Sequence, residues 1–114
     1  MPQRNQLFQA TPYAIEETLK LLGQNLRIAR KRRRLSIAQV AEKIGTGVRA
    51  ISDAEKGKPA TAISIYMALL WVYDFLGNMK GVADPLKDLE GLRLAALKES
   101  RNDRSLKAEL DNDF

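Results

Sequence analysis

Apolar residues recur along this chain in short helical phrases and not in strict alternation. Ile37, Val40, Ala41 and Ile44 fall three and four apart, which places them on one face of an α-helix. Ser36 precedes the run as an N-cap, and Gly45 follows it, free to take the positive φ that ends a helix. After Thr46 and Gly47 the phrase resumes with Val48, Ile51 and the small Ala54 inward, and with Arg49, Ser52, Asp53 and Lys56 outward. Two short helices joined by a three-residue turn bury their small faces only by crossing steeply, and Ala41 supplies the small residue that such a crossing needs.

Upstream, Thr11 and Pro12 read as the N-cap and first position of a helix. It carries Ile15, Leu19 and Leu22 on one face, then Leu26, Ala29, Arg30 and Arg33. Gly23 weakens its middle, so the pattern fits either one bent helix or two abutting ones. Downstream, Gly57-Lys58-Pro59 closes the second short helix and Thr61 caps another over about 62–76. Its apolar residues, among them Tyr66, Leu70, Trp71, Tyr73 and Phe75, go round the whole cylinder, so it must be covered on all sides. A second copy or another protein covers part of it, or the C-terminal segment folds back over it. Asp84-Pro85 reads as a turn or a helix start, followed by leucines at 86, 89, 92, 94 and 97 that fit one more amphipathic helix, and from Lys98 onward the charged, weakly periodic tail is expected to be disordered. The fold predicted is all-α, with five helices.

A chain of 114 residues, 45% apolar and 29% charged, has the composition of one soluble globular domain. It has no cysteine and no histidine, which excludes disulfides, thiolate and imidazole metal sites, and every Ser-His or Cys-His arrangement. No convergent acid–base pair or phosphate loop is visible either, so neither an enzyme, a metal nor a cofactor is expected. The N-terminal MPQRNQLFQATPYAIEE lacks an apolar centre, and the most apolar run is broken by Asp74. Neither an export signal nor a membrane span is therefore expected, and the location expected is cytoplasmic.

Charge changes the picture more. Residues 1–83 hold 13 Lys and Arg against 6 Asp and Glu, a balance of +7, while residues 84–114 hold 6 against 8, a balance of −2. Seven basic residues (Lys20, Arg27, Arg30, Lys31, Arg32, Arg33, Arg34) lie between positions 20 and 34 with no acid among them. The run is either a solvated face or a surface for an anionic polymer.

A protruding helix about 10–12 Å wide fits the major groove of DNA, about 12 Å across. The first turn of the second short helix would then lie nearest the base edges, with Gly47 at its start, Val48, Arg49 and Ala50 leading, and Ser52 and Asp53 one turn on. A guanidinium engages guanine O6 and N7 together, which makes Arg49 the strongest base-reading candidate; the alternative is an i, i+4 pair with Asp53. Ser36 and the N–H groups behind it suit a phosphate, although a capping role explains Ser36 equally well. Lys31, Arg32, Arg34, Lys56 and Lys58 would add positioning contacts to phosphates.

The stretch LGQNLRIARKRRRLSIAQVAEKIGTGVRAISDAEKGKP resembles the helix-turn-helix domain of Xre/Cro-type repressors, with Ala41, Gly45, Ile51, Glu55 and Gly57 standing at that motif's positions. The resemblance implies a five-helix repressor-like domain over 22–79, after an N-terminal helical extension over 1–21. It also implies a buried pair between Arg30 and Glu55, which are otherwise two unrelated surface charges. Ile37, Thr46, Gly47 and Ala54 depart from the family's usual residues. Beyond residue 60, the tract LG…ADP…D.EG…L is similar to the C-terminal part of HipB-like antitoxins, which implies a homodimer on an inverted-repeat operator of double-stranded DNA, repression of its own operon, and docking of a HipA-like kinase toxin. Residues 80–97 would then form a dimerisation or partner-docking helix and 98–114 a flexible tail. Two further readings stand beside this one: a stand-alone dimeric Xre-type repressor without a toxin, and a helical protein-interaction module whose basic helix meets an acidic protein.

Overall fold

The computed structural model describes residues 5–112. They are 76% helical, with no strand among them. The ends of the predicted N-terminal extension and of the tail, residues 1–4 and 113–114, lie outside the described residues. Among the described residues six α-helices are formed: α1 (Gln6–Gln9), α2 (Tyr13–Arg32), α3 (Ile37–Ile44), α4 (Val48–Glu55), α5 (Ile63–Val72) and α6 (Leu89–Asn112). Two 3-10 segments, Leu76–Gly81 and Pro85–Lys87, separate α5 from α6. The chain forms two compact units, one up to Gly77 and one from Asn78 onward.

In the first unit α4 packs against α2, α3 and α5. Leu26 and Ala29 of α2, Val40 and Ala41 of α3, Ile51 and Ala54 of α4, and Tyr66, Leu69, Leu70 and Tyr73 of the α5 region close the core. Tyr66, Leu70 and Tyr73, expected at an interface, are therefore core residues of this chain. They sit on the side of α5 that meets α3 and α4. Trp71 and Phe75 point elsewhere and are exposed.

Local chemistry moves several boundaries. Thr11 does not cap α2: its hydroxyl donates to the Leu7 carbonyl at 2.6 Å, and Pro12 occupies the N-cap. Gly23 does not divide α2, which runs unbroken for 20 residues. α5 begins after Ala62 without a side-chain cap, so Thr61 is not its cap. It stops at Val72, short of the expected Leu76, because Asp74 takes a left-handed φ of 65° and the chain turns back, Phe75 N–H donating to the Leu70 carbonyl at 2.7 Å.

In the second unit Asp84 accepts from Leu86 N–H at 3.0 Å and opens the second 3-10 segment, while Asp88 accepts from Gly91 N–H at 2.9 Å and caps the start of α6. The stretch from Lys98, expected to be disordered, continues α6 as helix to Asn112. Its low hydrophobicity alone is a poor guide to disorder.

Candidate nucleic-acid interface

The short helices are set by their ends. Ser36 Oγ accepts from Gln39 N–H at 3.0 Å while the Gln39 side chain accepts from Ser36 N–H at 2.8 Å, a reciprocal capping box that starts α3. The sequence reading missed Gln39, although a serine followed three residues later by glutamine is a legible signal. The cap uses Ser36 as an acceptor, so its hydroxyl proton stays free to donate to a phosphate, and its two proposed roles are compatible. Gly45 ends α3 at φ 83°, with its N–H and that of Thr46 both donating to the Ala41 carbonyl at 2.9 Å. Gly47 then caps α4 in an extended conformation.

The other end of α4 is fixed on α2. Arg30 is 8% exposed and donates from Nε and Nη2 to the two carboxylate oxygens of Glu55 at 2.7 and 2.9 Å, and from Nη1 to the Leu35 carbonyl at 3.0 Å. The hydrogen bond to Glu55 holds the guanidinium pKa above its ordinary value against the opposing cost of burial. Nearby, burial raises the phenol pKa of both Tyr66 and Tyr73. Tyr66 donates to the Lys58 carbonyl at 3.0 Å, tying the loop after α4 to α5.

Along α4 the predicted reading residues divide by exposure. Val48, which the periodicity turns inward, is instead 51% exposed, because the first turn of α4 projects past the core and Ile51 and Ala54 fill it. Arg49 is exposed beside it; Ala50, Ser52 and Asp53 are half-buried; Lys56 is exposed. The alternative partner for Arg49 is engaged elsewhere, since Asp53 pairs with Lys58 at 3.1 Å, and among the described residues Arg49 has no ion pair. That same bridge removes Lys58 from the freely available phosphate ligands. A hollow of about 280 Å³ opens beside this bridge, lined by Ala50, Asp53, Lys58, Thr61 and Ile65 among others.

The basic tract at the end of α2 splits. Lys31, Arg32 and Arg34 are exposed, Arg34 at a left-handed φ of 55°. Arg33 folds back: it donates to the carbonyls of Ala29 and Tyr73 at 3.0 Å each, with its guanidinium 5.4 Å from the Tyr73 ring centre and 5.5 Å from that of Phe75. Lys20 pairs with Glu16 at 2.8 Å. Two cations of the tract, Arg30 and Arg33, thus tie helices together, a division that charge counting does not disclose.

Among the described residues no cluster of acidic side chains is placed to hold a metal ion, and no helix is long and apolar enough to cross a membrane. Residues 21–79, just over half of the chain, match the family model of a helix-turn-helix domain. No curated protein and no solved structure matches the chain. The matched span contains α3, the Gly45 turn, α4 with its open leading end, and the basic end of α2; the chain belongs to the helix-turn-helix domain family and is a DNA-binding regulator of the Xre type.

Proposed function

We propose that this regulator is a sequence-specific repressor, acting as a homodimer on an inverted-repeat operator, and that it serves as the antitoxin of a HipA-like serine/threonine kinase while repressing its own operon. The observation that carries the DNA half of the reading is the free leading end of α4, where exposed Val48 and Arg49 stand ahead of a helix anchored at its other end. Arg49 reads a guanine through O6 and N7, a contact worth about 1–3 kcal/mol of discrimination, and Val48 or Ala50 packs on a thymine methyl. Gly47, Ser52 and Asp53 line the same entry. Ser36, Arg32 and Lys56 hold phosphates and set the register, with Lys58 joining them when its bridge to Asp53 opens.

Trp71, exposed on α5, and Phe75, exposed in the turn after it, support self-association, because large apolar groups left on a surface favour a protein partner. The kinase-docking part rests on the likeness of the C-terminal tract to HipB-like antitoxins and on α6, whose Leu92, Leu94 and Leu97 are exposed.

Mapping the DNA protected by the full chain, with and without the product of the adjacent gene, tests the reading. The expected result is a protected inverted repeat together with a kinase that co-purifies and alters the protection. Protection with no kinase bound leaves the stand-alone dimeric Xre-type repressor. Binding that ignores both DNA sequence and salt points to the protein-interaction module, since phosphate neutralisation releases counterions.

A further inference from the structure

α2 meets the end of α4 at Gly23, backbone against backbone. At Gly23 a Cβ would lie 2.5 Å from the Ala54 carbonyl oxygen, 2.6 Å from that of Glu55 and 2.8 Å from the Gly57 nitrogen, all backbone atoms with no rotamer to yield. From the other side, a Cβ at Gly57 would strike the Leu19 carbonyl. Seven residues after Gly23, Arg30 grips Glu55. The last turn of α4 is therefore held on α2 at two places about 10 Å apart along the axis of α2, a bare backbone crossing and a buried ion pair. Its first turn is exposed.

We propose that Gly23 is a positioning residue for DNA reading: by letting the backbone of α2 lie directly against the last turn of α4, it sets the tilt at which Val48 and Arg49 enter the groove. The inference rests on α4 being the reading helix. A side chain at 23 pushes this turn outward while the Arg30–Glu55 pair holds it. The ion pair, about 10 Å further along α2, holds one side of the turn that the new side chain pushes, so α4 tilts and its first turn is displaced. Bidentate recognition of a base depends on direction, so rotation weakens it before it weakens phosphate contacts. Helix propensity argues the opposite way, because alanine is the better residue in the interior of α2; a glycine kept at 23 for no tertiary reason would be improved by the exchange.

The test is Gly23→Ala in the full chain, read as the ratio of affinities for the operator and for an unrelated duplex, well below the melting temperature. The expected ratio falls about tenfold or more while the salt slope holds, since the phosphate-facing cations are untouched. The amide resonances of Val48 and Arg49 shift as well. A folded variant with an unchanged ratio overturns the proposal. If wild type shows no operator preference, the DNA reading itself fails and the proposal with it. Should Gly23→Ala not fold, Gly57→Asn replaces it, because asparagine tolerates the φ of 68° there and its Cβ meets Leu19 from the opposite side of the crossing. A loss of preference in that variant supports the proposal. If neither variant folds, the crossing is a requirement of the fold and not of reading, and the proposal is overturned.

Discussion

Two glycines two residues apart share a turn but have different physical roles. Gly45 takes a φ of 83°, a conformation in which an L side chain is strained, whereas Gly47 is extended and open space surrounds the position of its missing Cβ. Gly45→Ala should therefore cost about 1–2 kcal/mol, and Gly47→Ser should be neutral or stabilise by a few tenths of a kcal/mol through a new N-cap. Chemical denaturation of the two variants beside the wild type checks the contrast; equal losses would contradict it. The contrast was partly legible. A glycine right after an amphipathic run announces a left-handed turn, and Gly45 was placed on that ground. The close approach at Gly23 was not legible, because helix propensity is a local quantity while its neighbours Ala54, Glu55 and Gly57 are about thirty residues away in the chain.

Among the elements, α5 shows how far an apolar pattern can be taken. A helix apolar all round announces that it is buried but does not name what buries it. Its own unit claims Tyr66, Leu69, Leu70 and Tyr73, and only the opposite side, with Trp71 at 63% exposure, is left. Trp71→Ala should accordingly change folding stability by no more than about 0.5 kcal/mol while weakening self-association, a pairing that sedimentation and thermal melting read independently. A large drop in melting temperature at unchanged association would place Trp71 in the fold instead. α3 was readable to its end residues and α4 to within about one residue, because Ser36, Gly45 and Gly57 punctuate them. α6 was not, since charge and low hydrophobicity describe a disordered tail and a solvated helix in the same terms.

For the whole molecule, the question is which of the 19 Lys and Arg can meet a polyanion. Arg30 is closed in on Glu55 and lost to the surface charge, whereas Arg33 stays exposed but is held on carbonyls and aromatic faces. Arg32→Ala should reduce the slope of log affinity against log salt by about one, whereas Arg33→Ala should reduce it by less and also lower thermal stability, because the contacts to Ala29, Tyr73 and Phe75 are lost. Titrating one duplex at several salt concentrations distinguishes the two; equal slopes for the variants would show that the tract acts as undivided charge. The clamp on the last turn of α4 has a thermodynamic consequence of its own. Folding has already ordered that helix before any duplex arrives, so association carries little entropy penalty for the segment. Its heat-capacity change should be that of two preformed surfaces meeting, without the larger negative value of a chain that folds as it binds.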